Sequence, residues 1–244
     1  MLFTYNNIKN YKKIIMKNYD DCELNSMNFI NALNYDKRTF FQYYLSILKY
    51  NNLILFSFYP MNDYNLKIIK ISLFFLSFDI YFFINSLFFN TSAIHQIYEN
   101  AGVYDFSYFL PKIILSFFIS YYIIIIIKYF SLSQRNLLEL KNKMDMEKID
   151  EVKIRRCLII KYIIFYCLSF IFLTFFWYYL SSFCAVYKNS QFYVIQNTLI
   201  SFGISLLYPI LFNLLTSIIR ITSLNGNKSI NELLYKLNKF MQYL

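Results

Sequence analysis

The stretch from Leu158 to Leu180 constrains this chain more than any other. It is almost wholly apolar, follows Arg155-Arg156, and closes on Trp177-Tyr178-Tyr179. As a helix it would extend about 34 Å at about 1.5 Å per residue, enough to cross a hydrocarbon core of about 30 Å. Cations at one end and amphipathic rings at the other are the usual anchors of a membrane span. The stretch reads as a transmembrane helix, and it sets the reading of its neighbours.

A chain of 244 residues could hold one or two soluble domains. Here 58% hydrophobic residues, 16% charge, 3 Gly and 3 Pro fit a helical membrane protein better. Three further apolar runs are about as long or longer. The expected fold is all-α and polytopic, with four transmembrane helices at about 68–89, 109–130, 158–180 and 192–219. The fourth is longer and carries Pro209, which predicts a tilt or a kink. Aromatic residues make up 22% of the chain. Phe, Ile, Asn, Tyr and Lys rise together while Gly, Ala and Pro are scarce, a pattern of AT-rich coding rather than of binding cages.

Around the 67–224 transmembrane domain lie three polar or mixed segments. Residues 1–35 are Asn-rich and basic, with Lys9, Lys12, Lys13 and Lys17 ahead of Asp20, Asp21 and Glu23. Ile8, Tyr11, Ile15 and Tyr19 recur at helical spacing without the apolar core of a signal peptide, so the expectation is an uncleaved start or a piece of a longer protein. Residues 36–66 are apolar but broken by Gln42, Lys49, Asn51 and Asn52, which predicts an interfacial helix rather than a fifth span, followed by a turn after Pro60. Residues 225–244 break at Asn225-Gly226-Asn227. Ile230, Leu233, Leu234, Leu237 and Phe240 then mark a short amphipathic helix.

Between the second and third spans, residues 131–156 are charged. Glu139/Lys143 and Glu151/Arg155 stand four apart, and Asp145/Lys148 and Asp150/Lys153 three apart. Such pairs support solvated helix, so this stretch is expected to form a cytosolic helical hairpin.

The net charge of +10 raises the question of nucleic acid. Position answers it. Residues 1–67 hold 8 Lys and Arg, residues 128–161 hold 9, and residues 220–244 hold 4; residues 90–108 hold none, and Lys188 stands alone between spans three and four. Short basic flanks stay on the cytosolic side, so both termini and the hairpin are expected there. Juxtamembrane lysines meet anionic headgroups, and no nucleic-acid-binding motif accompanies them.

Motifs for chemistry are nearly absent. His95 is the single histidine, and Gly102, Gly203 and Gly226 are too scattered for a phosphate loop. His95 and Glu99 share a helix face, an exposed pair rather than a metal site. Cys22, Cys157, Cys167 and Cys184 fall at different depths and cannot make a disulfide framework. No catalytic residue, cofactor or metal is expected, and the chain reads as a non-enzyme.

Two intramembrane polar features remain as candidate sites. Asp79 lies at the middle of the first span, where a carboxylate costs about 3 kcal/mol on insertion scales. It is either part of an ion path or a neutral group hydrogen-bonded to another helix. The fourth span carries Asn197, Ser201, Ser205, Pro209, Asn213 and Ser217, each four residues from the last. Such a row drifts by about 40° per step. Asn197, Ser201 and Ser205, with Ser116 and Ser120 on the second span, read as small-residue packing surfaces or as a polar pathway.

Several runs resemble a family of uncharacterised multi-pass membrane proteins of AT-rich protists. They are Tyr35-Asp36-Lys37-Arg38-Thr39-Phe40, Asn62-Asp63-Tyr64-Asn65, His95-Gln96-Ile97-Tyr98-Glu99, Trp177-Tyr178-Tyr179 through Phe183-Cys184-Ala185-Val186-Tyr187-Lys188, and Thr198 to Pro209. The resemblance covers roughly residue 35 to the end and implies the C-terminal membrane portion of a larger protein. It brings no activity. Asp79 stands where such proteins usually carry a small or apolar residue.

The function expected from the sequence is a membrane anchoring or assembly module. Its partners would be the lipid bilayer and either a second copy or a cytosolic protein bound through 131–156. An oligomeric channel or transporter subunit using Asp79 and the polar residues of span four is the alternative.

Overall fold

The computed structural model describes residues 19–61, 63, 65–133, 137, 151–188, 190–225 and 228–242. Among these residues the chain is all-α, without strands. It forms α1 (Asp21–Ser26), α2 (Phe29–Tyr35), α3 (Phe40–Asn51), α4 (Leu53–Phe58), α5 (Lys67–Leu87), α6 (Thr91–Glu99), α7 (Phe106–Ser131), α8 (Glu151–Val186), α9 (Gln191–Asn225) and α10 (Lys228–Met241). Four of them, α5, α7, α8 from Arg155, and α9, are long and apolar enough to cross a membrane. Each overlaps one of the four expected spans, and α8 and α9 run past the expected ends, to Val186 and Asn225. Much of their sequence is Ile and Phe, middling helix formers in water, but in hydrocarbon a helix satisfies every backbone group and propensity matters less. The basic N-terminal segment up to residue 18 and most of the 131–156 hairpin lie outside the described residues.

The chain divides into two compact units, Leu48–Phe212 and Met1–Ile47 with Asn213–Leu244. We call them the span unit and the terminal unit.

In the span unit α5 is the central helix. Half of its most apolar window is buried, against 6% for α8. Leu73, Leu76, Ile80, Tyr81 and Ile84 of α5 pack against Phe117 of α7, Phe165 of α8 and Phe202 of α9. Phe202 meets Phe74, Phe78 and Tyr81 edge-on, and Phe83 stacks on Phe176 at 4.1 Å. Such ring pairs contribute about 0.5–1.5 kcal/mol each beyond their area. From Arg155 on, α8 leaves about two thirds of its side chains exposed, and Phe165, Leu180 and Phe183 are its buried ones. A second cluster, with Phe89, Ala93, Ile97, Phe109, Phe183 and Val194, closes the end of the unit where α6 lies.

The segment 36–66 is two helices, not one. Asn52 ends α3 and caps α4, its side-chain oxygen accepting from Ile54 N at 3.1 Å and Leu55 N at 3.2 Å. Its amide nitrogen donates to Leu206 O at 2.9 Å. Leu53 and Phe56 enter the span-unit core, and Ser57 Oγ donates to Lys70 O at 2.9 Å. The polar residue that spoils a continuous apolar run is the one that breaks the helix and turns α4 onto α5.

α6 begins on Asn90, whose side chain accepts from Ala93 N at 3.0 Å, and ends on a left-handed turn. Ala101 N donates to Tyr98 O at 3.1 Å and Gly102 N to Ile97 O at 2.9 Å, with φ of 51° and 79° respectively. This double bond satisfies two end carbonyls. Gly102 takes the left-handed backbone freely, whereas Ala101 takes it under strain.

The terminal unit joins α1, α2, the start of α3, the end of α9 and α10. Tyr235 of α10 packs on Phe29 of α2 with ring centroids 5.4 Å apart and donates to Met27 O at 2.7 Å. Among the described residues of this unit, the largest fully buried side chain is Arg220.

Candidate functional site

Of the four residues singled out by sequence, two meet hydrogen-bond partners on neighbouring elements. Asn197 on α9 is buried and accepts from the Tyr104 hydroxyl, in the loop between α6 and α7. Burial pushes the Tyr104 hydroxyl up to about 12. One turn along α9, Ser201 is fully buried and its Oγ accepts from Asn85 Nδ2 of α5 at 2.7 Å. Asn85 also donates to Tyr81 O at 2.7 Å, and Ser201 to Thr198 O at 3.1 Å, so this pair is satisfied on both sides. Ser205 is half-buried and donates back to Phe202 O at 2.6 Å, within its own helix. Asp79 is half-buried on α5 and takes no hydrogen bond or ion pair from any described residue. Ser116 and Ser120 are fully buried on α7, and neither hydroxyl meets a hydrogen-bond partner among the described residues.

A second polar group in the span unit sits where α5 begins. Lys70 Nζ pairs with Asp63 Oδ1 at 2.8 Å, both side chains nearly inaccessible. Asn65 Nδ2 donates to Asp63 Oδ2 at 2.9 Å, and Asn65 Oδ1 accepts from Ser133 N at 3.1 Å. The turn after Pro60 thereby ties the start of α5 to the end of α7. His95 and Glu99 stand 3.1 Å apart on the exposed face of α6.

The densest polar network is in the terminal unit, and it was not among the residues expected from sequence. Asp36, between α2 and α3, receives Arg38 Nε and Nη2 at 2.9 Å each, and Arg220 Nη2 of α9 at 2.9 Å. The Asp36 side chain is 2% exposed and that of Arg220 0%. Arg38 continues to Asn25 Oδ1 at 2.9 Å, Asp21 Oδ1 at 3.2 Å and Ser46 Oγ at 3.2 Å. Arg220 is held between the Tyr43 and Tyr235 rings, its guanidinium carbon 5.3 and 4.2 Å from the centroids. Arginine suits such a place because its planar, weakly hydrated cation stacks on rings and forks onto a carboxylate. The Tyr43 hydroxyl accepts from Asn238 Nδ2 at 3.3 Å and from Gln242 Nε2, bringing in α10.

Burial by itself would raise the Asp36 carboxyl. The hydrogen bonds and charges of Arg38, and then of Arg220, outweigh it and hold the group below the usual carboxylate range. Asp36 is therefore a fixed anion between two cations.

A signal for Arg220 was present in the sequence. The polar row of α9 reaches Ser217, and stepping three residues twice more gives Arg220 and Ser223. Asn213, Thr216, Ser217, Arg220 and Ser223 are all fully buried. Read as sequence, Arg220 counts only as a basic flank of the last span.

Among the described residues no three His, Cys, Asp or Glu side chains come together as a metal site. The four cysteines form no disulfide, with Cys22 buried and Cys157 and Cys167 exposed. What these networks offer is tight pairing of polar groups across helices. Compared with known proteins, the chain matches no family model, no curated protein and no solved structure.

Proposed function

We propose that the chain is a membrane anchoring or assembly module, with the span unit as the anchor and both termini on the cytosolic side. The observation that carries this reading is how the polar groups of the spans are used. Asn85 and Asn197 are each buried and each bonded to another element of the same chain, Asn85 to Ser201 and Asn197 to Tyr104. Polar groups paired in this way join helices. A conduction path requires such groups to face a route that ions can follow. The orientation rests on the excess of Lys and Arg in residues 1–67, 128–161 and 220–244.

The second reading, a subunit of an oligomeric channel or transporter, draws on Asp79. It is half-buried at mid-span, and another copy could cover it. Flux across liposomes containing the purified chain separates the two. The anchor reading expects no flux above empty liposomes, for the native chain and for Asp79→Asn alike. Flux that Asp79→Asn removes would overturn it. Topology is tested by glycosylation sequons engineered near Gly102 and near Lys143 in a secretory-pathway membrane. Modification near Gly102 alone is expected, and modification near Lys143 alone would invert the orientation.

A further inference from the structure

Two helices of the terminal unit, α10 and the end of α9, turn polar side chains inward and apolar ones outward. On α10 the polar residues Asn231, Tyr235 and Asn238 are 6%, 2% and 0% exposed, whereas Ile230, Leu233 and Phe240 are 69%, 68% and 63% exposed. The two sets lie on opposite faces of one helix, since positions three, four and seven apart share a face. The polar face is fastened inward. Tyr235 Oη donates to Met27 O, Lys239 Nζ to Ser26 O at 3.1 Å, and Asn238 Nδ2 to the Tyr43 hydroxyl. Rolling the helix to bury its leucines would break all three bonds and uncover the ring that covers Arg220.

The part of α9 in the same unit follows the same rule. Asn213, Ser217 and Arg220 are fully buried, while Leu214, Leu215 and Ile218 are 44%, 50% and 45% exposed. In water this distribution opposes the hydrophobic effect, which drives apolar surface inward. Against hydrocarbon it is the stable one, because apolar surface costs nothing there and polar groups must find each other.

We infer that the terminal unit is immersed at the bilayer surface, with α10 lying in the interface and Ile230, Leu233, Leu237 and Phe240 in the acyl-chain boundary. Three observations select lipid as the occupant. The outward apolar row of α9, itself the last span, continues to Ile218, within ten residues of the start of α10. Only residues 226–227 separate the two helices, so the membrane is held close to α10 by the chain itself. Lys236, 74% exposed and paired with the exposed Glu232 at 2.8 Å, puts the charged groups beside the apolar face rather than on it, as on interfacial helices. This inference rests on the membrane reading of the four spans.

The test uses the full chain in phosphatidylcholine/phosphatidylglycerol vesicles, with an environment-sensitive fluorophore on single cysteines. The native cysteines are replaced by serine, and Leu233→Cys, Phe240→Cys, Lys236→Cys and Phe170→Cys are made in turn. Expected is quenching of the probes at 233 and 240 by shallow spin-labelled lipid, more than by deep-labelled lipid, with protection from aqueous iodide. The probe at 236 should reverse that order. Either position, 233 or 240, serves if the other variant does not fold. Iodide quenching at 233 and 240, with lipid quenching kept at 170 on α8, would overturn this inference and leave the spans standing. Loss of lipid quenching at 170 would overturn the membrane reading with it. Protection from both quenchers, together with energy transfer between copies, would assign the face to a second chain and also overturn it.

Discussion

Replacing Asp36 by asparagine keeps the shape of the buried network and removes its enclosed anion. Arg38 and Arg220 would then face a neutral amide, with side chains that are 9% and 0% exposed. Breaking a buried pair by deleting one charge costs about 3–5 kcal/mol, chiefly because the remaining charge is stranded. Here two cations are stranded, although Asp21, 47% exposed, still reaches Arg38. Cys22 reports the loss. It is 3% exposed on α1, the helix whose Asp21 and Asn25 hold Arg38. With Cys157, Cys167 and Cys184 changed to serine, the labelling rate of Cys22 measures local opening when reclosing is fast. At about 1.4 kcal/mol per tenfold, Asp36→Asn should speed labelling between about 100-fold and a few thousand-fold. Asp21→Asn removes the solvent-facing pair, worth about 0.2–1 kcal/mol, and should speed it less than about fivefold. Trp177 emission should hold in both, because that residue is in the span unit. Labelling of Asp36→Asn within fivefold of the native rate would refute the argument that this network holds the unit together.

Three further predictions follow from the same geometry. The folded Asp36 carboxyl lies below its unfolded value, so its contribution is complete above the unfolded pKa of 3.8 and lost as pH falls through the lower folded value; Cys22 protection should be flat from neutral pH to about 4 and fall only below that. A double-mutant cycle of Asn85→Ala and Ser201→Ala, read by unfolding in mixed micelles, should give a coupling of about 0.6–1.7 kcal/mol, and additive effects would remove the interhelical bond from the account. Ala101→Gly should stabilise the α6 end by about 1 kcal/mol, because it relieves a left-handed alanine; a lower melting temperature would show that this turn is not strained.

The spans were legible because hydropathy over about twenty residues is a property of composition, and a helix is the one local answer in hydrocarbon. Leu158–Leu180 needs no knowledge of its neighbours. The polar partners were a different matter. The i,i+4 row on α9 was visible from Asn197 to Ser217, but what each member would meet depends on residues far along the chain: Tyr104 for Asn197, Asn85 for Ser201, Asp36 for Arg220. Asp79 drew attention because charge at mid-span is expensive, yet no described residue pairs with it. Arg220 drew little, because a cation after a span is what topology rules expect. Periodicity marked the faces of α10 and could not say which of them turns inward.

That ambiguity has a physical root. In water the apolar face of an amphipathic helix must find the core, so the pattern gives the direction. Beside lipid, apolar surface is nearly indifferent to whether it meets side chains or acyl chains, and the pattern alone loses its direction. The decision passes to polar groups, for which the penalty of being unpaired is large. In the terminal unit Asp36 accepts from two arginines at once and Tyr43 from two amides, and together they fix which side of α9 and α10 faces inward. In the span unit Asn85–Ser201 and Lys70–Asp63 fix the pairing of α5 with α9 and with the turn before it. The abundant Phe and Ile side chains settle where the chain resides; a few buried Asp, Arg, Asn and Ser side chains settle which arrangement it adopts there.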